Sequence, residues 1–345
     1  NLYVEEVYIY TMGFFCRWWT KFIGAFYKLI KRKDPPLNSI VNTPQEMRIW
    51  FKDQYCKIKP DAIFMNYAFW HGLVYDPIFK NIPKIIDTHD LVTLNRKLRE
   101  IIEKNIHSDR KIWQYKFWEN LDIKPDNEEF AVYDNYNITI AISPPECKTI
   151  KKNSRKTRTM LLPITCEPIC QKNLYKQESL FIARDNIFNV HGYLYFVKNI
   201  LPILKNAVPN FVLKVIGSLT EESVLHSDNV FFFGPVENLK PYYENSGFFV
   251  CPVLSGTGQQ VKVIEAMANG LPVVIFKAGM RGLPIEHKKN GFVANDNIEF
   301  VEYIKELWFD CKLRETMGLI ARRSVVQNKS YDNFFNEFRK MMNIR

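Results

Sequence analysis

Apolar residues along this chain fall into short runs separated by longer stretches with helical spacing, and the alternation repeats from one end to the other. In the first half, runs at 4–10, 61–66, 84–87, 136–142 and 157–163 read as strands. Between them, 12–32, 44–57, 94–107, 109–119, 126–133 and 144–152 carry the 3.6-residue period of helices. Ser143-Pro144-Pro145-Glu146 marks a helix start, because proline suits a first turn whose N–H groups need no partner. The second half repeats the pattern, with strands at 179–183, 211–216, 229–233, 247–251, 272–276 and 291–293. Helices are expected there at 297–309, 311–319 and 330–343. Apolar strands alternating with helices predict an α/β protein with a parallel, doubly wound sheet in each half. Residues 163–177 hold neither period and read as a linker. The expected domains are therefore 1–165 and 166–330, with 331–345 a terminal helix.

A length of 345 residues suits two domains, and 47% hydrophobic residues can fill two cores, which excludes a disordered chain. The net charge of +10 points to anionic partners. No zinc-finger or RNP signature is present, so nucleic acid is not expected among them. Seven scattered cysteines, an odd number, argue against a disulfide framework and fit a reducing, cytoplasmic setting. Cys166 and Cys170 are spaced like metal ligands but have no second pair. There is no Asp-x-Asp and no His-Glu-x-x-His, and His71, His107, His191, His226 and His287 are dispersed, so no metal is expected.

One basic segment, residues 14–33, has two readings. At about 100° per residue, Arg17, Lys21, Lys28, Lys31 and Arg32 share one sector of a helix. Phe15, Trp18, Trp19, Phe22, Ile23, Phe26, Leu29 and Ile30 occupy the opposite side. That mix suits a helix lying in a membrane interface, peripheral rather than spanning, since no run of 18 uncharged apolar residues exists. It equally suits a surface helix packing its apolar face on the first sheet, and the two are compatible.

The strongest candidate chemistry lies in Gly256-Thr257-Gly258-Gln259-Gln260-Val261-Lys262-Val263-Ile264-Glu265, closed by Gly270. A glycine turn before a helix start exposes N–H groups that attract phosphate. Lys262 and Glu265, three residues apart, share a helix face. A lysine beside the turn meets a diphosphate as a point charge, and a carboxylate further along takes the paired hydroxyls of a ribose. The alternative is an ordinary glycine-capped βα unit with a solvated lysine.

This stretch, with its surroundings, resembles the C-terminal half of the retaining GT-B glycosyltransferases of the family 4 type (glycosyl transferases group 1). The match runs in order through Ser179–Arg184, Asn189–Phe196 with Ile200-Leu201-Pro202, Val212–Gly217, Val230–Val236, the Glu265 helix, Gly279–Pro284 and Asn290–Val293. In the first half it rests on Lys59–Phe64, Ile85–Asp90 and Ile138–Ser143. The resemblance implies two Rossmann-like, doubly wound domains facing across a cleft, with a nucleotide-sugar donor bound by the second and a glycan or lipid-linked acceptor by the first. No separate cofactor is implied. It assigns Glu265 to the ribose, Arg184 to the pyrophosphate, Gly234 and Val236 to the base, and Gly258, Gln259, Gln260, Val261 and Lys262 to the donor. It assigns His89 to the donor sugar at the reacting centre. Tyr67 and Trp70 follow a strand end and are candidates for the acceptor side, or else core residues.

Two departures from the family pattern stand out. The family's acidic pair lies eight positions apart, and here the position eight before Glu265 is Thr257. The usual lysine after the arginine loop is missing, with Asn189 or His191 nearest. The glycine loop of the first domain is not seen either, so a truncated first domain without its opening strand is expected. Together these departures leave open a second reading, a non-catalytic nucleotide- or glycan-binding module.

Overall fold

The computed structural model describes residues 6–30, 34–37, 39–107, 111–164, 166–219 and 227–326, with positions 336, 339 and 340. Packing divides the chain into two units interleaved in sequence. The first holds Asn1–Thr93, Pro125–Ala141 and Glu146–Leu161, and the second Leu94–Lys124, Ile142–Pro145 and Leu162–Arg345.

The first unit is built on four parallel strands, β1 (Ile63–Asn66), β2 (Lys84–Asp87), β3 (Ile138–Ala141) and β4 (Arg158–Leu161), side by side in that order. β3 is buried along its whole length, as a strand covered on both faces must be, and Ile85, Ile86, Ile140 and Ala141 fill the core. The register sets Asn66 beside Asp87, so the carboxyl ends of β1 and β2 are level. Helix α1 spans Phe14–Leu29 and α2 spans Gln45–Ile58. Phe51 and Tyr55 of α2 close on Phe79 with ring centroids 5.7 and 4.9 Å apart. α5 (Asn127–Tyr133) and α6 (Pro144–Asn153) follow in this unit, whereas α3 (Val92–Asn105) passes at Leu94 into the second unit, which also holds α4 (Tyr115–Glu119).

The second unit carries six parallel strands, β5 (Ser179–Ile182), β6 (Leu213–Ile216), β7 (Val230–Phe232), β8 (Phe248–Cys251), β9 (Val273–Phe276) and β10 (Gly291–Ala294). Their order is β10-β9-β8-β5-β6-β7. The winding therefore reverses between β5 and β8, and a ligand crevice is expected beyond the carboxyl ends of those two strands. The helices are α7 (Ile187–Tyr195), α8 (Leu201–Ala207), α9 (Lys240–Asn245), α10 (Val261–Ala268), α11 (Asn297–Phe309) and α12 (Cys311–Val326). Between α7 and α8 a π-helical stretch covers Phe196–Ile200. Pro202 supplies the reason: it has no N–H to give and its ring crowds the preceding turn, so the helix widens there.

Several expectations change. No strand forms over the described part of 4–10, where Val7 and Ile9 stand 74% and 80% exposed with no partner ladder, and the rest of that run lies outside the described residues. The expected helix over 109–119 is a 3₁₀ turn, Lys111–Trp113, followed by α4, because Gln114 between them is extended (φ −107°, ψ 125°). The helix expected at 311–319 runs on to Val326. The one expected at 330–343 lies almost wholly outside the described residues, as do Lys31, Arg32 and His226. The largest change concerns α1, which buries only Thr20. Phe15 is 82% and Leu29 78% exposed, and Phe14, Trp18, Trp19, Phe22 and Phe26 are exposed too. The reading in which this face packs on the first sheet is therefore overturned: among the described residues nothing covers it.

Candidate functional site

The switch point of the second sheet gathers the candidate residues. Beyond β8 the chain passes through Gly256 (φ +136°) and Gly258 (φ +71°) into α10. A Cβ at Gly256 would meet nothing within 4 Å, so glycine is needed there for the sign of φ and not for space. The two glutamines of the turn brace it. Gln259 accepts from the Ile164 N–H (2.9 Å) and donates to the Gly282 carbonyl (2.9 Å). Gln260 donates to the Gly279 carbonyl (2.9 Å) and accepts from the Cys251 thiol (2.9 Å). Thr257, at the position of the missing acid, accepts from the Asn95 amide (3.2 Å). With its amide side chains held by the protein, the turn has its main chain to offer a ligand.

Lys262 and Glu265 lie on one face of α10, both half-buried. The Lys262 ammonium donates to Asn189 Oδ1 and stands 4.6 Å from the centre of the Phe181 ring. Burial lowers its pKa to about 8, and the nearby Cys251 thiol opposes the shift. Glu265 has its pKa raised by burial, with Arg184 pulling the other way. The same carboxylate raises Cys166 and Tyr243, after burial as the larger cause in both. The Tyr243 hydroxyl is buried with no partner among the described residues. Arg184 is exposed just beyond β5. The loop after it is tied back on itself: Asn186 caps α7 by accepting from Phe188 and Asn189 N–H groups (3.2 and 3.1 Å), and the Asn189 amide donates to the Arg184 carbonyl (2.8 Å). One exposed cation, one half-buried amine and one half-buried carboxylate thus meet at a glycine-bounded helix start, the polarity a nucleoside diphosphate requires.

Gly234 and Val236 follow β7, two strands along from β5. Gly234 (φ +67°) accepts from the Gly217 N–H (2.9 Å), and Val236 packs against the core. Gly217 ends β6 with φ +122°, and a Cβ there would lie 2.3 Å from the Ala183 carbonyl oxygen.

The other candidates form a second cluster, within the first unit. His89 follows β2 in the left-handed region (φ +52°), and Tyr67, one residue beyond β1, also has positive φ (+62°). Strain at two non-glycine residues is held only where the surroundings over-determine it. The His89 N–H donates to Asp87 Oδ1 (3.1 Å), its ring Nε2–H to Asn66 Oδ1 (2.9 Å), and its ring lies 4.5 Å from that of Tyr67. Asp87 Oδ2 stands 3.7 Å from the same nitrogen, and burial raises the Asp87 carboxyl while His89 opposes it. With Nε2 occupied, Nδ1 carries the lone pair of the neutral ring. Phe69 stacks on Tyr67 at 5.0 Å, and Trp70 lies 5.1 Å from Phe69.

Arg184, Gly258, Val261, Lys262 and Glu265 thus come together around β5 and β8, while His89, Tyr67 and Trp70 belong to the cluster at β1 and β2. His191 is in neither. It is fully buried between Trp113 (5.1 Å) and Trp118 (4.9 Å), donates to the Ile112 carbonyl (3.1 Å), and burial lowers it to about 4. Asn66 and Tyr243 escaped the sequence reading. Nothing in the chain marks Asn66, whose role exists only because β1 and β2 share a register.

Residues 176–310 match the family model described as glycosyl transferases group 1. A curated relative, an uncharacterized glycosyltransferase of Haemophilus influenzae, is 32% identical over 162 residues, 44% of this chain and 45% of its own. A Klebsiella pneumoniae protein, described as an uncharacterized 44.6 kDa protein in the cps region, is 23% identical over 210 residues, 55% of this chain and 51% of its own. The chain spans about half the length of both. Among solved structures TarM aligns with a TM-score of 0.67 at 16% identity, over 86% of this chain and 58% of TarM. A mutant of S. aureus TarM, similar at a TM-score of 0.65, was solved with fondaparinux, α-GlcNAc-glycerol and UDP. At such identity the likeness shows the fold, which is GT-B.

Proposed function

We infer that this chain, whose residues 176–310 match the glycosyl transferases group 1 model, is a glycosyltransferase that moves a sugar from a nucleotide-diphosphate-sugar to a glycan or lipid-linked acceptor, with retention at the anomeric carbon and without a metal ion. The observation that carries this reading is the meeting of Arg184, Lys262 and Glu265 at the glycine-bounded start of α10, at the β5/β8 switch point. In this reading the Glu265 carboxylate accepts from both ribose hydroxyls, and Gly234 and Val236 border the base. The Gly256–Val261 main chain, Lys262 and Arg184 meet the diphosphate. The bond from the anomeric carbon to the diphosphate oxygen breaks, and its electron pair leaves with the diphosphate. The same three groups stabilise that developing charge. The acceptor oxygen bonds to the anomeric carbon from the face the diphosphate leaves, and its proton passes to a donor phosphate oxygen. His89 hydrogen-bonds a hydroxyl of the donor sugar, with Asn66 and Asp87 holding its ring.

The Klebsiella relative lies in a cps region, and with the exposed aromatic and cationic faces of α1 this favours an acceptor in surface-polysaccharide synthesis, reached from a membrane surface. Among the described residues no helix is long and apolar enough to cross a membrane. The test is incubation with a panel of UDP-, GDP-, ADP- and TDP-sugars. Slow release of free sugar from one donor is expected, abolished in Arg184→Ala. Nucleotide binding with no release from any donor would replace the enzyme with the binding module that Thr257 leaves open.

A further inference from the structure

We propose that two buried glutamates of the first unit, Glu129 and Glu146, are positioning residues that clamp the two ends of the strained turn carrying His89; their importance for turnover rests on the role given to His89 above. The turn leaves β2 at Asp87 and enters α3 at Val92. At its entrance the Thr88 hydroxyl lies between the Ile140 carbonyl (2.9 Å) and Glu146 Oε1 (2.8 Å), while the Thr88 N–H donates to the same carbonyl (3.1 Å). Thr88 has no exposed surface, and Glu146 is 4% exposed. At its exit Glu129 of α5 is fully buried, and each of its oxygens takes two donors. Oε1 accepts from the Val92 N–H (2.6 Å) and the Tyr133 hydroxyl (2.7 Å). Oε2 accepts from the Thr93 N–H (2.9 Å) and the Thr93 hydroxyl.

Four donors converging on one carboxylate require a group that only accepts. A glutamine keeps one oxygen for two of them and turns its own N–H groups toward the other two. The exit clamp therefore fails on a change of one atom. Between the clamps the His89 main chain donates to Asp87 Oδ1 and sits at a positive φ that disfavours a non-glycine residue. Freed at either end, the turn relaxes toward negative φ, and the ring leaves Asn66 and Tyr67. Ordinary helix caps would stabilise α3 and nothing more; here the two clamps fix Thr88 on one side and Val92 and Thr93 on the other of a short turn that contains His89.

The experiment joins a direct view of the ring to kinetics, on the full chain. Spectra of protein labelled with ¹³C in its histidine rings are recorded for wild type, Glu129→Gln, Thr88→Val and Thr88→Ser. The His89 signal, assigned with His89→Ala, is expected to move in the first two variants as Tyr67 ring shielding is lost, with His191 unmoved. Thr88→Ser, which keeps the hydroxyl, restores it. Sugar release is then measured with whichever of UDP-glucose, GDP-mannose or ADP-glucose wild type turns over fastest. Glu129→Gln and Thr88→Val are expected to lower kcat tenfold or more, on the scale of a misplacement of about 1 Å, with KM unchanged. Neither should slow His89→Ala further. A His89 signal that stays put in both variants, or losses that multiply on the His89→Ala background, would overturn the clamp. Absence of turnover in wild type would instead sink the role of His89, and the ring signal would still decide the clamp.

Discussion

Lys262 shows how burial turns an ordinary side chain into a responsive one. In the unfolded chain it titrates near 10.5, and in the folded protein near 8, because burial disfavours the ammonium. Between those values the unfolded chain binds more protons, so stability rises with pH across about 8 to 10.5 and is lost again as pH falls through 8. Thermal midpoints measured over that window should rise for wild type relative to Lys262→Met, which lacks the titrating amine. A bound diphosphate works in the opposite sense, since it favours the charged form. Nucleotide affinity should therefore weaken above pH 8 in wild type and stay flat in Lys262→Met, as titration calorimetry would show. Lys262 and Glu265 were legible in the sequence because helical spacing alone puts them on one face. The bond from Lys262 to Asn189 was not, because it requires the start of α7 to meet α10 across two strands. Nor was the bracing role of Gln259 and Gln260, whose partners lie 95 and 19 residues away in the chain.

Among the elements, the strand ends of the second sheet are the most exacting. Gly217 couples β6 to β5, because a methyl group there would collide with the Ala183 carbonyl next to Arg184. Gly217→Ala should cost about 1–3 kcal/mol from backbone strain alone, with the collision added, and should also blunt nucleotide binding. Gly256→Ala, with open space around it, should keep more of its stability; urea unfolding of both variants makes the comparison. Helix α1 makes a different demand. Trp18 and Trp19 flank Phe22 at 5.8 Å on an uncovered face, while Arg17, Lys21 and Lys28 lie on the other side. Sedimentation with vesicles of mixed neutral and anionic phospholipid should carry the protein down. Replacing Trp18 and Phe22 by serine should release it, as should raised salt. Periodicity located α1 and α2 well, because an amphipathic stripe survives in any context. It missed the break at Gln114 and the π-helical widening before Pro202, since both depend on how a short helix docks.

For the whole molecule, strand alternation was enough to foresee two parallel sheets, and ten strands lie within a few residues of their expected places. The interleaving of the units was not legible: no composition shift marks residues 94–124 as packing with the second half. Each unit also hides a neutral imidazole, His71 in the first and His191 in the second, both lowered to about 4, chiefly by burial. The unfolded chain protonates these rings near 6.5, so the stability they confer is full above 6.5 and drains away as pH falls toward 4. Each contributes on the order of 3 kcal/mol across that span. His191→Phe should flatten the fall in melting temperature between pH 7 and 4.5, leaving the His71 share.

The assignment of Glu265 to the ribose is decided by calorimetric binding of the preferred nucleoside diphosphate and of its 2′,3′-dideoxyribose analogue, to wild type and to Glu265→Ala. Wild type should favour the natural ribose by at least about tenfold, and Glu265→Ala should bind both equally weakly. Equal binding of the two by wild type, or a preference that survives the loss of Glu265, would contradict it.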